Sequence, residues 1–72
     1  MPNLRIAFGI KLRRLRRHLD LTQEQLAEAL GISVEFVSNM ERGVNAPSFE
    51  TLEKIAITLH VPVRDLFDFD VE

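Results

Sequence analysis

The sequence predicts an all-α fold, five helices closed into one compact domain over residues 1–72. Three observations carry that expectation. Apolar residues recur at helical spacing in two stretches, Leu4-Phe8-Leu12-Leu15-Leu19 and Leu52-Ile55-Ala56-Leu59. Helix-start chemistry appears twice in quick succession, at Thr22 and Ser33, with Gly31 between the two. A hydrophobic content of 46% is enough for a folded core rather than a disordered chain.

In chain order, Met1 to Asn3 read as a loose end. The first helix starts near Leu4 and buries the Phe8-Leu12-Leu15-Leu19 face, and its other face is mostly Lys and Arg. Ile6 and Ile10 fall off the apolar stripe, free to cover a neighbouring segment or a partner. Thr22 then caps a second helix, with Gln25 completing a capping box and Leu21 and Leu26 placed as a hydrophobic staple. Gly31 follows the last apolar residue, Leu30, where a left-handed backbone suits glycine. Ser33 caps a third helix, with Ile32 and Val37 repeating the staple. That helix runs to about Arg42 and stops at Gly43. Only Gly31, Ile32 and Ser33 separate the two helices, so they cross steeply, and Ala27 sits where one passes over the other. Residues 22–43 therefore read as a helix-turn-helix.

Downstream, Gly43 to Ser48 read as a loop, with Pro47 before Ser48 as the cap of a fourth helix. His60 ends that helix, and Val61-Pro62 breaks the chain before a last turn containing Leu66 and Phe67. The expected core is Leu12, Leu15, Leu19, Leu26, Ala27, Leu30, Ile32, Val37, Met40, Leu52, Ile55, Ala56, Leu59 and Leu66. Burying each large aliphatic side chain contributes roughly 1.5–3 kcal/mol before entropy is subtracted. A chain of 72 residues is near the lower limit for a self-supporting core, and dimerisation would help it.

Composition narrows the function. The chain has no cysteine, which removes disulfides, thiolate zinc sites and thiol chemistry and agrees with a reducing compartment. It has no apolar run of transmembrane length and no signal-peptide pattern, so a cytoplasmic protein with no membrane partner is expected. Net charge is −2, but residues 1–21 carry six cations against Asp20, a balance of +5, and the rest is acidic. A basic first helix on an acidic body is a polarised molecule, although such a face is also consistent with simple solvation. His18 and His60 fall in different helices, and Glu24 and Glu28 read as an exposed face. Ser33 and Ser38 have no base nearby in sequence, and no glycine-rich phosphate loop is present. We expect no enzyme, no metal, no cofactor and no small-molecule ligand.

The motif and its surroundings resemble the DNA-binding domains of the phage lambda repressor and Cro-type family of helix-turn-helix regulators. The likeness runs from about Gly9 to Phe67. KLRRLRRHLDLTQEQLA is similar to the family's basic first helix entering the motif, and ERGVNAPSFETLEKIAITLHVPVRDLF to its glycine turn, fourth helix and closing fifth helix. The resemblance implies a transcription regulator that binds double-stranded DNA, a repressor or autoregulator acting as a homodimer on a palindromic operator. Standalone members of this size include controller proteins of restriction-modification systems, small phage repressors and antitoxins.

The major groove of B-DNA accepts one α-helix, and Val34, Glu35, Ser38 and Asn39 face away from Val37 and Met40 on the second motif helix. The resemblance places Val34, Glu35 and Asn39 on base-reading positions, with Ser38 beside them. Asn39 suits an adenine edge, Glu35 a cytosine amine and Val34 a thymine methyl. Val34 and Glu35 depart from the polar or basic residues often found there, and Glu35 and Asn39 also read as ordinary helix surface. For phosphates, the resemblance supports Gln23 at the start of the first motif helix, and Arg42, Asn45 and Ser48 near the loop that grips the backbone. Ser48 reads equally as a cap alone. Arg13 and Arg17 are placed to flank the DNA from the first helix. The resemblance also pairs Arg16 with Glu41 as a structural ion pair. Ile57, Phe67, Phe69 and Val71 lack an obvious place in the core and are the expected dimer interface, with Ile6 and Ile10 as second choice. A Phe67 that closes the core is the plainer alternative. The competing function is a protein-interaction or antitoxin-like module on the same fold with weak DNA binding.

Overall fold

The computed structural model describes residues 3–69, so Val71 of the expected dimer interface lies outside the described residues. Among the described residues four α-helices follow in order: α1 Leu4–His18, α2 Gln23–Leu30, α3 Val34–Glu41 and α4 Phe49–Leu59. A 3₁₀ turn, Val63–Phe67, follows α4. This fifth element is not an α-helix. Pro62 precedes it and its five residues are too short a run to favour the i to i+4 pattern.

The caps locate the boundaries. Thr22 Oγ1 accepts from Gln25 N at 3.0 Å while Thr22 N donates to Gln25 Oε1 at 2.8 Å, a complete capping box. Gly31 takes φ 71° at the C-terminus of α2, and Ser33 Oγ accepts from Phe36 N to open α3. Asn3 is not part of a loose end: its Oδ1 accepts from Arg5 N at 2.9 Å and caps α1. Leu19, expected in the core, is 40% exposed, because α1 ends at His18 and Asp20 reverses the backbone at φ 60°.

The buried apolar residues form one cluster drawn from all five elements: Phe8, Leu12, Leu26, Ala27, Leu30, Val37, Met40, Ile55, Ala56, Leu59 and Leu66. Leu15, Ile32 and Leu52 pack against it half-buried. α1 and the end of α3 meet backbone to backbone. A Cβ on Gly9 would lie 2.4 Å from the Met40 carbonyl oxygen and 2.6 Å from that of Glu41, so only a residue without a side chain allows the two backbones to touch. Gly43, at φ 77°, sits under Ile6 in the same way, its hypothetical Cβ 2.7 Å from Ile6 Cγ1. This joint sets where α3 sits on the body.

Candidate nucleic-acid interface

α3 is held to the core by its inner face. Val37 and Met40 are fully buried, and Phe36 is half-buried against the same cluster. At 100° per residue the remaining positions, Val34, Ser38, Glu35 and Asn39, occupy one continuous arc on the outer side. Val34 and Glu35 are exposed and Ser38 and Asn39 half-buried. The four expected base-reading residues are therefore brought together. α2 packs against α3, and its Ala27 is buried in the core.

The inner end of α3 carries a polar joint. Arg16 Nε lies 2.6 Å from Glu41 Oε2 and Arg16 Nη2 lies 3.0 Å from Oε1, a bidentate pair with both residues buried. Arg16 Nη1 also donates to the Leu21 carbonyl at 2.6 Å. Gln23 Nε2 donates to Glu41 Oε1 at 3.0 Å, so one carboxylate ties together α1, the start of α2 and the end of α3. Among the described residues no buried side-chain polar atom lacks a partner. Gln23, expected to meet a phosphate, thus has its amide nitrogen directed at Glu41. Its helix-terminal position leaves backbone N–H groups of α2 available to an anion.

The other expected phosphate ligands are distributed as follows. Arg13 and Arg17 are exposed and border a hollow with Ile10, Arg14 and Glu41, which sets the basic stripe of α1 beside the C-terminal end of α3. Asn45 is half-buried in the loop after α3, its N–H directed at the Asn39 carbonyl at 3.3 Å. Ser48 caps α4: its Oγ accepts from Thr51 N at 3.1 Å and donates to Thr51 Oγ1 at 3.1 Å. Arg42 Nη2 donates to Asn39 Oδ1 at 2.6 Å.

Among the described residues, the expected dimer residues Ile57, Phe67 and Phe69 line different hollows. Ile57, 74% exposed, borders a hollow with His60, Val61 and Val63 at the end of α4. Phe67 instead stacks on buried Phe8, centroids 5.6 Å apart, and meets Phe69 edge-on at 6.3 Å. Phe69 in turn borders a hollow with Ile6 and Ile10. Phe49, to which the sequence assigns no role, is 85% exposed on the rim of an apolar groove of about 200 Å³ with Leu4, Phe8, Pro47, Leu52 and Phe67. Its spacing to Leu52 and Ala56, three and seven residues, continues the 52-55-56-59 stripe, so periodicity alone gives no sign of its exposure. Among the described residues no group of three or more His, Asp or Glu side chains gathers to hold a metal, and no helix is long and apolar enough to cross a membrane.

A capped pair of helices joined by three residues, the second with Val34, Glu35, Ser38 and Asn39 turned outward, defines a helix-turn-helix protein. The profile of the family described as Helix-turn-helix matches residues 12–66, and the chain belongs to that family of DNA-binding transcription regulators. It is 37% identical over 68 residues to the control protein C.BamHI of Bacillus amyloliquefaciens, covering 93% of this chain and 84% of that one. It is 37% identical over 59 residues to the cryptic phage CTXphi transcriptional repressor RstR of Vibrio cholerae, spanning 82% of this chain but 53% of RstR. Its fold matches the crystal structure of the restriction-modification controller protein C.AhdI from Aeromonas hydrophila with a TM-score of 0.84 and 36% identity, over 88% of this chain and 96% of that one.

Proposed function

We propose that this chain is a sequence-specific, double-stranded DNA-binding transcription regulator, a cytoplasmic repressor or autoregulator that acts as a homodimer on a palindromic operator. The observation that carries the reading is the outward arc Val34, Ser38, Glu35 and Asn39 on a helix fixed from behind by Val37, Met40 and Glu41. A helix so held enters the major groove with its orientation already set, so little ordering entropy is lost on binding. Backbone contacts come from the α2 start at Gln23, from Asn45 and Ser48 after α3, and from Arg13 and Arg17 on α1. Similarity to controller proteins and to a phage repressor supports the regulatory role.

α3 has 8 residues, about 12 Å at 1.5 Å per residue, and reads only a few base pairs. Two copies on half-sites one helical turn apart supply the missing specificity. Ile57, on the outer face of α4, is the centre of the proposed dimer contact.

The test is selection from a random duplex library, followed by affinity of the enriched sequence against salt. An enriched palindrome with a steep salt slope is expected, since each neutralised phosphate contributes about −0.9 to the slope. Absence of enrichment would favour the second reading, a protein-interaction or antitoxin-like module. The exposed Phe49 and its apolar groove are the observation behind that alternative.

A further inference from the structure

Arg42 is the C-cap residue of α3, exposed and less than one turn beyond Asn39. Its Nη2 donates to Asn39 Oδ1 at 2.6 Å. The backbone fixes both ends of this bond. Arg42 N donates to the Ser38 carbonyl at 3.0 Å, and the Asn39 carbonyl accepts from Val44 N at 2.8 Å.

A guanidinium has five donors and no acceptor, so a carboxamide bonded to it must turn its oxygen toward it. The amide of Asn39, which in isolation presents either end, then has one orientation. Nδ2 faces away from Arg42 as a donor, and Oδ1 keeps one lone pair. A donor beside an acceptor matches the N7 and N6-amino edge of adenine, whereas guanine offers two acceptors there and satisfies only half of a locked amide. The geometry points to Arg42 as a positioning residue that fixes which base Asn39 reads, in place of the phosphate ligand expected from the sequence. This assignment rests on the DNA-binding reading above.

The two roles separate experimentally. A phosphate-binding arginine lowers affinity for all sequences alike. A positioning arginine alters preference at one base pair of each half-site, and only while Asn39 is present. Arg42→Met removes the donor and keeps the aliphatic stem, and Arg42→Lys keeps a charged donor. Library selection with Arg42→Met should reduce the adenine-over-guanine preference at the Asn39 position about tenfold, with preferences elsewhere and thermal melting unchanged. Arg42→Lys should restore part of the preference. In an Asn39→Ala background, Arg42→Met should change the preference no further. Uniform loss across sequences, or an undiminished effect without Asn39, would overturn the assignment. A measurement without DNA distinguishes this failure from failure of the DNA-binding reading. The Asn39 side-chain amide should be rigid by ¹⁵N relaxation in the native protein and mobile in Arg42→Met. Equal mobility in both would overturn the lock itself. If the native protein enriches no sequence while the amide is rigid, the base-reading role falls with the DNA-binding reading.

Discussion

Arg16 and Glu41 are separated by 25 positions in sequence and meet as a buried bidentate pair, Nε to Oε2 at 2.6 Å and Nη2 to Oε1 at 3.0 Å. Neither charge has bulk water to fall back on. Removing one partner leaves the other desolvated and alone, which is why breaking such a pair is more costly than forming it is beneficial.

Arg16→Ala is therefore expected to lower stability by on the order of 3 kcal/mol, against roughly 0.5 kcal/mol or less for Arg13→Ala on the exposed face. Thermal denaturation of the two variants under one buffer checks this. Equal melting temperatures would show that the pair is not a structural joint.

Gly9→Ala decides a sign. Helix propensity alone favours alanine by roughly 0.5–1 kcal/mol in mid-helix. The added Cβ, however, would stand 2.4 Å from the Met40 oxygen, a backbone atom that cannot swing aside. Net destabilisation of about 1–3 kcal/mol is expected. A variant that melts at or above the native temperature would mean that α1 and α3 are not in backbone contact.

On DNA, Asn39→Ala and Arg17→Ala should fail differently. The first is expected to relax discrimination at one base pair by about 1–3 kcal/mol. The second should weaken binding to all sequences and reduce the salt slope by roughly 1. Titrations against matched and mismatched duplexes at several salt concentrations separate the two. Identical profiles would remove the base-reading assignment.

Ile57→Lys places a charge on a side chain that is 74% exposed in the single chain, so melting of the monomer should change little. Burial of that charge against a second copy is unfavourable. Sedimentation of the variant should shift toward monomer and operator affinity should fall. An unchanged dimer would move the interface to the Phe67 and Phe69 side.

The helix-turn-helix was legible residue by residue because its signals are local. Thr22 with Gln25, Gly31 and Ser33 act within a turn of themselves, and each occupies the cap that its chemistry suggests. The outward arc of α3 followed from periodicity once Val37 and Met40 were placed inside. What escaped were contacts between segments far apart in sequence. Gly9 is a glycine in the middle of a helix until α3 is laid across it, and only then does its missing side chain have a reason. Gln23 was read from its position at a helix start, but its partner, Glu41, is 18 positions away. Ile57 and Phe69 are alike in sequence as unplaced apolar residues, and only the folded chain separates them onto different hollows.

The division of α3 into a fixed inner face and a free outer one has an evolutionary consequence. Val37, Met40 and Glu41 answer to the scaffold, while among the described residues no side-chain hydrogen bond or ion pair involves Val34, Glu35 or Ser38. Substitutions at such uncoupled surface positions usually change stability by no more than about 0.5 kcal/mol. On the proposed base-reading role of this arc, a lineage carrying the domain would drift from one target to another through three codons without passing through an unfolded intermediate. Asn39 is the exception, since its exchange also strands Arg42, and the two would be expected to change together.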